Sequence, residues 1–296
     1  MKRTLHAYQL HAHVQNAPLD DYRVFFEKIK KVRPSKRSHQ IEDRHIFLAE
    51  ISIHKDFILL AAEDGDAHTK PRLYNPQTNQ ERIGDKGDDE LLSTRTHAAF
   101  DLRTRFVTVE FNQRGAKATQ ILGILREIGS RLQGYAGLSL EMPPVANEEF
   151  LRELHKFNRI RVATVQMVEP NVDWEDCADK LSGMAKESEA KKIEVTFTAS
   201  RDGSIAKEYG LLGSIQNLIR RGKHIFNNVV VRGSRTDSKQ EAMLKLHNHT
   251  EQKKVEVAKS LVDGYPEPKA VQQALLQFLE QLAEGHPAAD VENDDS

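Results

Sequence analysis

The sequence predicts an α+β fold of two domains, with antiparallel or mixed sheets each packed with long amphipathic helices. Three observations carry that prediction. Short β-branched and aromatic runs such as Phe106-Val-Thr-Val-Glu-Phe and Ile193-Glu-Val-Thr-Phe alternate with period two, the pattern of a half-buried strand. Between them lie stretches with apolar residues three and four apart, the pattern of an amphipathic helix. The adjacent prolines Pro143 and Pro144 break the chain near its middle. They place one domain at 1–142 and a second at 147–285, followed by an acidic tail at 286–296. The most regular stretch, Arg159 to Arg235, reads strand, helix, strand, helix, strand.

The elements follow in order. Thr4 to Val14 alternates weakly and reads as a first strand. Leu19 to Lys31 sets Leu19, Tyr22, Phe25, Phe26 and Ile29 at helical spacing, with Asp20 and Asp21 near the positive end of the helix. Pro34 ends it. Ile46 to Ile53 and Phe57 to Ala62 read as a hairpin across His54-Lys55-Asp56. Glu63 to Ser93 is polar, with Gly, Pro and Asn spread through it, and reads mostly as loop. His97 to Phe111 resumes strand character. Ala116 to Leu132 reads as helix and Leu138 to Met142 as a short strand. Beyond the prolines, Asn147 to Lys156 reads as helix and Ile160 to Val168 as strand. A helix over Asp173 to Glu189 is capped by Asp173. Ile193 to Ala199 reads as strand, Ile205 to Arg221 as helix ending before Gly222, and Val229 to Arg232 as strand. Ala242 to His247 and Lys254 to Ala258 read as a further hairpin. Glu267 to Leu282 closes the chain as an amphipathic helix whose apolar face (Val271, Leu275, Leu276, Phe278, Leu279) suits either its own domain or a dimer contact.

Composition bounds the function. The chain has 296 residues, 39% hydrophobic and 29% charged, enough apolar side chain for two cores. No apolar run approaches the roughly 20 residues that span a bilayer, so no membrane insertion is expected. The basic first residues are soon interrupted by His and Gln and do not read as a secretory signal. The single cysteine, Cys177, has no internal partner and suits a reducing, cytoplasmic setting. Net charge is −1. Four acids and no cation occupy the last ten residues, so the remainder is net cationic.

Catalytic signatures are weak. His11-Ala-His13 and His247-Asn-His249 put two rings on one strand face and offer four nitrogens to a metal. No Thr or Ser follows at the spacing used by the paired-histidine phosphoesterases, and these residues read better as surface histidines. No Gly-x-Ser-x-Gly elbow is present. Gly84-Asp85-Lys86-Gly87 lacks a preceding strand and a Gly-Lys-Ser/Thr, and Asp88 and Asp89 would repel phosphate. The pairs Asp64/Asp66 and Asp88/Asp89 suit turns as well as a divalent nuclease site. No cofactor is implied.

Cations give the stronger signal. Lys28, Lys30, Lys31, Arg33, Lys36 and Arg37 fall within ten residues that contain no acid. Arg220, Arg221 and Lys223 close a predicted helix, and Arg232 and Arg235 follow the next strand. Gathered on one face they would neutralise phosphates with steep salt dependence. Aromatic residues are only 6% and do not interleave with the cations, which favours duplex backbone over a single-strand stacking platform. The bland alternative is that scattered Lys and Arg keep the surface solvated.

The order of elements carries a resemblance. A helix with Phe25-Phe26, a basic Ser-containing loop, the hairpin 46–62, a polar loop and the Phe106-Val-Thr-Val-Glu-Phe strand resemble the N-terminal half of the phage-exclusion protein RexA. The later run, with Ile193-Glu-Val-Thr-Phe and Asn228-Val-Val-Val-Arg-Gly, is similar in pattern to the Gop and KwaB exclusion proteins. The resemblance implies a two-domain, homodimeric α+β protein that binds double-stranded DNA with little sequence preference in anti-phage defence. The residues read as non-catalytic, and the setting leaves room for a second defence-system protein as a partner. The expected contacts are Lys30, Lys31, Arg33, Lys36 and Arg37, helped by Arg220, Arg221, Lys223, Arg232 and Arg235. A metal-dependent nuclease and a protein-interaction module remain the alternatives.

Overall fold

The computed structural model describes residues 1–15, 17–41, 44–66, 70, 72–77, 80–85, 87, 90, 92–168, 192–236, 238–261 and 264–285. The helix expected over Asp173 to Glu189, Cys177, Asp88, Asp89 and the acidic tail lie outside them. In chain order the strands are β1 (Lys2–Gln9), β2 (His11–Val14), β3 (Ala17–Pro18), β4 (Ser38–Ile41), β5 (Arg44–Ile53), β6 (Phe57–Asp66), β7 (Arg72–Asn75), β8 (Gln80–Ile83), β9 (Leu92–Asp101), β10 (Phe106–Phe111), β11 (Ser139–Glu141), β12 (Phe157–Val168), β13 (Lys192–Thr198), β14 (Phe226–Arg235), β15 (Ser238–Lys245) and β16 (Gln252–Glu256). The helices are α1 (Tyr22–Lys31), α2 (Ala118–Ser130), α3 (Glu148–His155), α4 (Gly210–Arg220) and α5 (Pro268–Gly285).

These elements correct the expected architecture. Sheets each packed with long amphipathic helices are not what forms. Sixteen strands stand against five α-helices among the described residues, and four of those helices have only 8 to 13 residues. Two misread stretches explain the difference. The helix expected from Ile205 begins only at Gly210, whose φ of +63° is a left-handed position that interrupts a helix. The described residues of the polar run 63–93 are largely extended: β6 continues to Asp66, β7 and β8 form their own hairpin, and β9 starts at Leu92.

The main sheet has seven antiparallel strands in the order β16-β1-β10-β9-β6-β5-β4. The β5–β6 hairpin forms as its alternation predicts, with a bulge between Leu48 and Glu50. At the β9–β10 turn, Asp101 Oδ1 accepts from the Arg103 and Thr104 N–H groups at 3.0 and 2.6 Å, an Asx turn that reverses the chain. One face of this sheet packs against α1 and α2 through Phe25, Phe26, Ile29, Ile121, Ile124 and Ile128. The other face, with Leu5, Leu59, Ala99 and Phe106, meets α5 through Val271, Leu275, Phe278 and Leu279. The helix face that suited a dimer contact is therefore buried within its own chain.

The second sheet has four antiparallel strands in the order β13-β12-β14-β15. One face buries Ile160, Ala163, Val165, Val229 and Val231 against α3 and α4. The opposite face carries Thr164, Gln166, Arg232, Met243 and Lys245, half-buried or exposed. The last expected hairpin does not form: β15 pairs with β14, and β16 crosses to pair with β1 (Lys2↔Glu256, Leu5↔Lys253). Residues 252–285 thus add a strand and a helix to the first sheet.

Candidate nucleic-acid interface

Asp21 starts α1, its side chain accepting from the Val24 N–H at 2.9 Å. The helix buries Tyr22, Phe25, Phe26 and Ile29. That anchoring turns Lys28, Lys30 and Lys31 outward in its last turn, where the helix dipole favours cations. Pro34–Lys36 follows as one 3-10 turn. Lys30, Lys31, Arg33 and Lys36 are exposed, and none has an ion-pair partner among the described residues. Lys28 donates to the Gln133 carbonyl at 3.4 Å and sits 4.8 Å from the Tyr135 ring centre.

Arg37 does not belong with them. It is 8% exposed, and its Nε has no hydrogen-bond partner among the described residues. Burial pulls its pKa down. Its carbonyl accepts from Leu48 N at 2.8 Å, tying the turn to β5. Arg37 is a packing residue at the root of the cationic edge.

The remaining expected contacts are not gathered there. Arg220 borders a cavity of about 570 Å³ with Arg152, His155, Glu251, Phe278 and Leu282. Phe278 and Leu282 belong to α5, so Arg220 lies by the helix on the opposite face of the seven-stranded sheet from α1. Arg221 is exposed and Lys223 half-buried in the turn that follows α4. Arg232 stands on the face of the second sheet that no described element covers, opposite Val162 and Met243. Arg235 is paired: its Nη2 lies 3.0 Å from Glu153 Oε2, and its guanidinium lies 5.4 Å from the Phe157 ring centre. A hydrogen bond from Lys156 and the charges of Lys156 and Arg235 hold the Glu153 carboxyl below the usual range. The structure therefore keeps Lys30, Lys31, Arg33 and Lys36 together, buries Arg37, separates the second cluster from them, and neutralises Arg235.

The first histidine pair also differs from expectation, whereas His247 is exposed and His249 half-buried. His11 and His13 are 3% and 4% exposed, not surface residues. His11 Nε2 lies 2.9 Å from the His224 carbonyl oxygen. Gln9 bridges the same region, donating to Thr104 O and accepting from His224 N. Burial pushes the His11 pKa down to about 3, reinforced by Arg105 and His13 and opposed by the His224 bond. This polar seam joins β1–β2 to the turn before β14. Among the described residues no group of three His, Cys, Asp or Glu side chains is placed to hold a metal ion.

Sequence reasoning passed over Arg3, His97 and Glu110, which converge between β1, β9 and β10. The signal was present but non-local. Glu110 opposes Leu5 in register, which makes Arg3 its diagonal neighbour on the same face. No helix among the described residues is long and apolar enough to cross a membrane. No protein-family model matches this chain, and no curated protein matches it.

Proposed function

We propose that the edge formed by the end of α1 and the following turn binds the backbone of double-stranded DNA, without catalysis and with little sequence preference. One observation carries the reading: Lys30, Lys31, Arg33 and Lys36 are exposed within seven residues, and no carboxylate among the described residues pairs with them. Unpaired cations on a rigid helix end attract a polyanion and release its counterions on binding. The footprint is smaller than the sequence suggested, because Arg37 is buried, Arg235 is paired and Arg220 lies by α5.

Four phosphate contacts imply a slope of about −3 to −4 in log affinity against log salt. Fluorescence anisotropy of a labelled duplex across a salt series measures it. Reversing Lys30, Lys31, Arg33 and Lys36 to Glu together is expected to abolish binding at moderate salt. An unchanged affinity overturns the assignment. Reversing Arg220, Arg221 and Lys223 is expected to change little. The resemblance to phage-exclusion proteins supports a role in anti-phage defence in the cytoplasm, as a homodimer with a second defence-system protein. Light scattering tests the dimer, which would have twice the 33.6 kDa chain mass.

A further inference from the structure

A different region carries an independent inference. Arg3 of β1, Glu110 of β10, His97 and Arg95 of β9 and Glu63 of β6 share the sheet face that meets α5. Beside that helix they line a cavity of about 410 Å³, with Ser260, Tyr265, Pro266 and Pro268 among its other walls. Pro268 is the first residue of the eighteen-residue helix α5, so the positive end of its dipole borders the space.

The centre of this group is built, not incidental. The Glu110 carboxylate is 2% exposed. Its Oε2 accepts from the His97 backbone N–H at 3.3 Å and lies 3.1 Å from His97 Nδ1. Its Oε1 lies 3.1 Å from Arg3 Nε. Oε2 already accepts from the His97 backbone N–H and is the acceptor for Nδ1 as well; Nδ1 is then the donor and, in the neutral ring, Nε2 presents a lone pair. The His97 side chain is 5% exposed, and Nε2 has no hydrogen-bond partner among the described residues. A buried acceptor left without a donor costs about 1–3 kcal/mol, so such groups are nearly always satisfied. Arg95 adds a second cation, its Nε 2.6 Å from Glu63 Oε1 and its side chain still 42% exposed.

We propose that this cavity binds a small anion that also bears a hydroxyl or amine, such as a sugar phosphate. The hydroxyl or amine donates to His97 Nε2, and the anionic group is received by the start of α5 and by the Nη groups of Arg3 and Arg95, whose carboxylate partners engage Nε. Glu110 acts as a positioning residue that fixes the tautomer of His97.

The test uses the full chain and three probes at millimolar concentration: ribose 5-phosphate, ribose and inorganic phosphate. Long-range proton–nitrogen NMR of the histidine rings is expected to show His97 as the Nδ1–H tautomer. Ribose 5-phosphate is expected to shift its Nε2 resonance and raise the melting temperature, with smaller effects from either half-probe. His97→Gln should weaken binding about tenfold, the loss of one hydrogen bond. Arg95→Gln, at a half-exposed position, should weaken it similarly while folding normally, which covers the case of a poorly folded His97 variant. The four-residue reversal on α1 should leave probe binding intact, so failure here is distinguishable from failure of the DNA reading. The inference is overturned if no probe moves the His97 signals, if all three move them equally, or if Nε2 carries the proton.

Discussion

The seven-stranded sheet is covered on both faces, the four-stranded sheet on one among the described residues. The consequence appears in the side chains. In the first, Ile58, Leu59, Leu60, Ala61 and Ala62 are buried in succession, because consecutive residues face two different cores. The buried carboxylates of that sheet come in company: Asp64 with Arg44 at 2.8 Å, and Glu110 with Arg3 and His97. In the second, the alternation along β12 is plain, with Ala163 and Val165 buried and Thr164 and Gln166 half-buried between them. The second sheet pairs its polar residues at a half-exposed surface, Thr164 with Thr196 and Gln166 with Glu194; the double-covered sheet holds its carboxylates in buried networks, where chemistry becomes available.

That contrast is open to measurement, beginning with the largest effect. Phe100 packs between the Tyr22 and Phe26 rings at 5.4 Å from each. Phe100→Ala should cost about 3–5 kcal/mol in denaturant unfolding, whereas Val230→Ala on the open face of the second sheet should cost under about 1 kcal/mol. Equal losses would erase the distinction.

The next effect is in pH. His11 has its folded pKa depressed to about 3 from 6.5. The unfolded chain therefore binds the extra proton throughout that window. Stability is full above pH 6.5 and falls as pH drops towards 3, by several kcal/mol. The drop should be much shallower in His11→Gln than in the parent, as followed by thermal melts between pH 7 and 4.

Smaller still are the helix caps. Asp21 and Asn147 accept from Val24 N at 2.9 Å and Phe150 N at 3.2 Å. Replacement of either by Ala should cost about 1 kcal/mol, and a larger loss for Asp21 would show that α1 contributes more to the double-covered core than α3 does to the other. Last, Arg232→Ala on the open sheet should change stability by under about 0.5 kcal/mol.

Legibility in the sequence followed the range of the interaction. The α1 helix, the β5–β6 hairpin and α3 were readable because their caps, turns and periodicity lie within a few residues. The β7–β8 hairpin was not, since its residues carry little apolar alternation. The pairing of β16 with β1 leaves no local trace. The candidate site divides the same way. Lys30, Lys31, Arg33 and Lys36 are neighbours in sequence and stay so in space. Arg37 looks the same in the sequence, yet the packing of the turn on β5 buries it. The joining of Arg3, His97 and Glu110 required knowing which strands pair.

One consequence concerns synthesis. Strand β1 sits between β10 and β16, and the Met1 amino group reaches the Val257 carbonyl at 2.7 Å across a sequence separation of 256. While the ribosome is still extending the chain, β1 can join β10 but its other flank waits. Until the distant segment emerges, that flank is a bare edge on which a neighbouring nascent chain can dock. Yield on expression should therefore depend on how quickly residues 252–285 arrive, more than on any property of β1 itself.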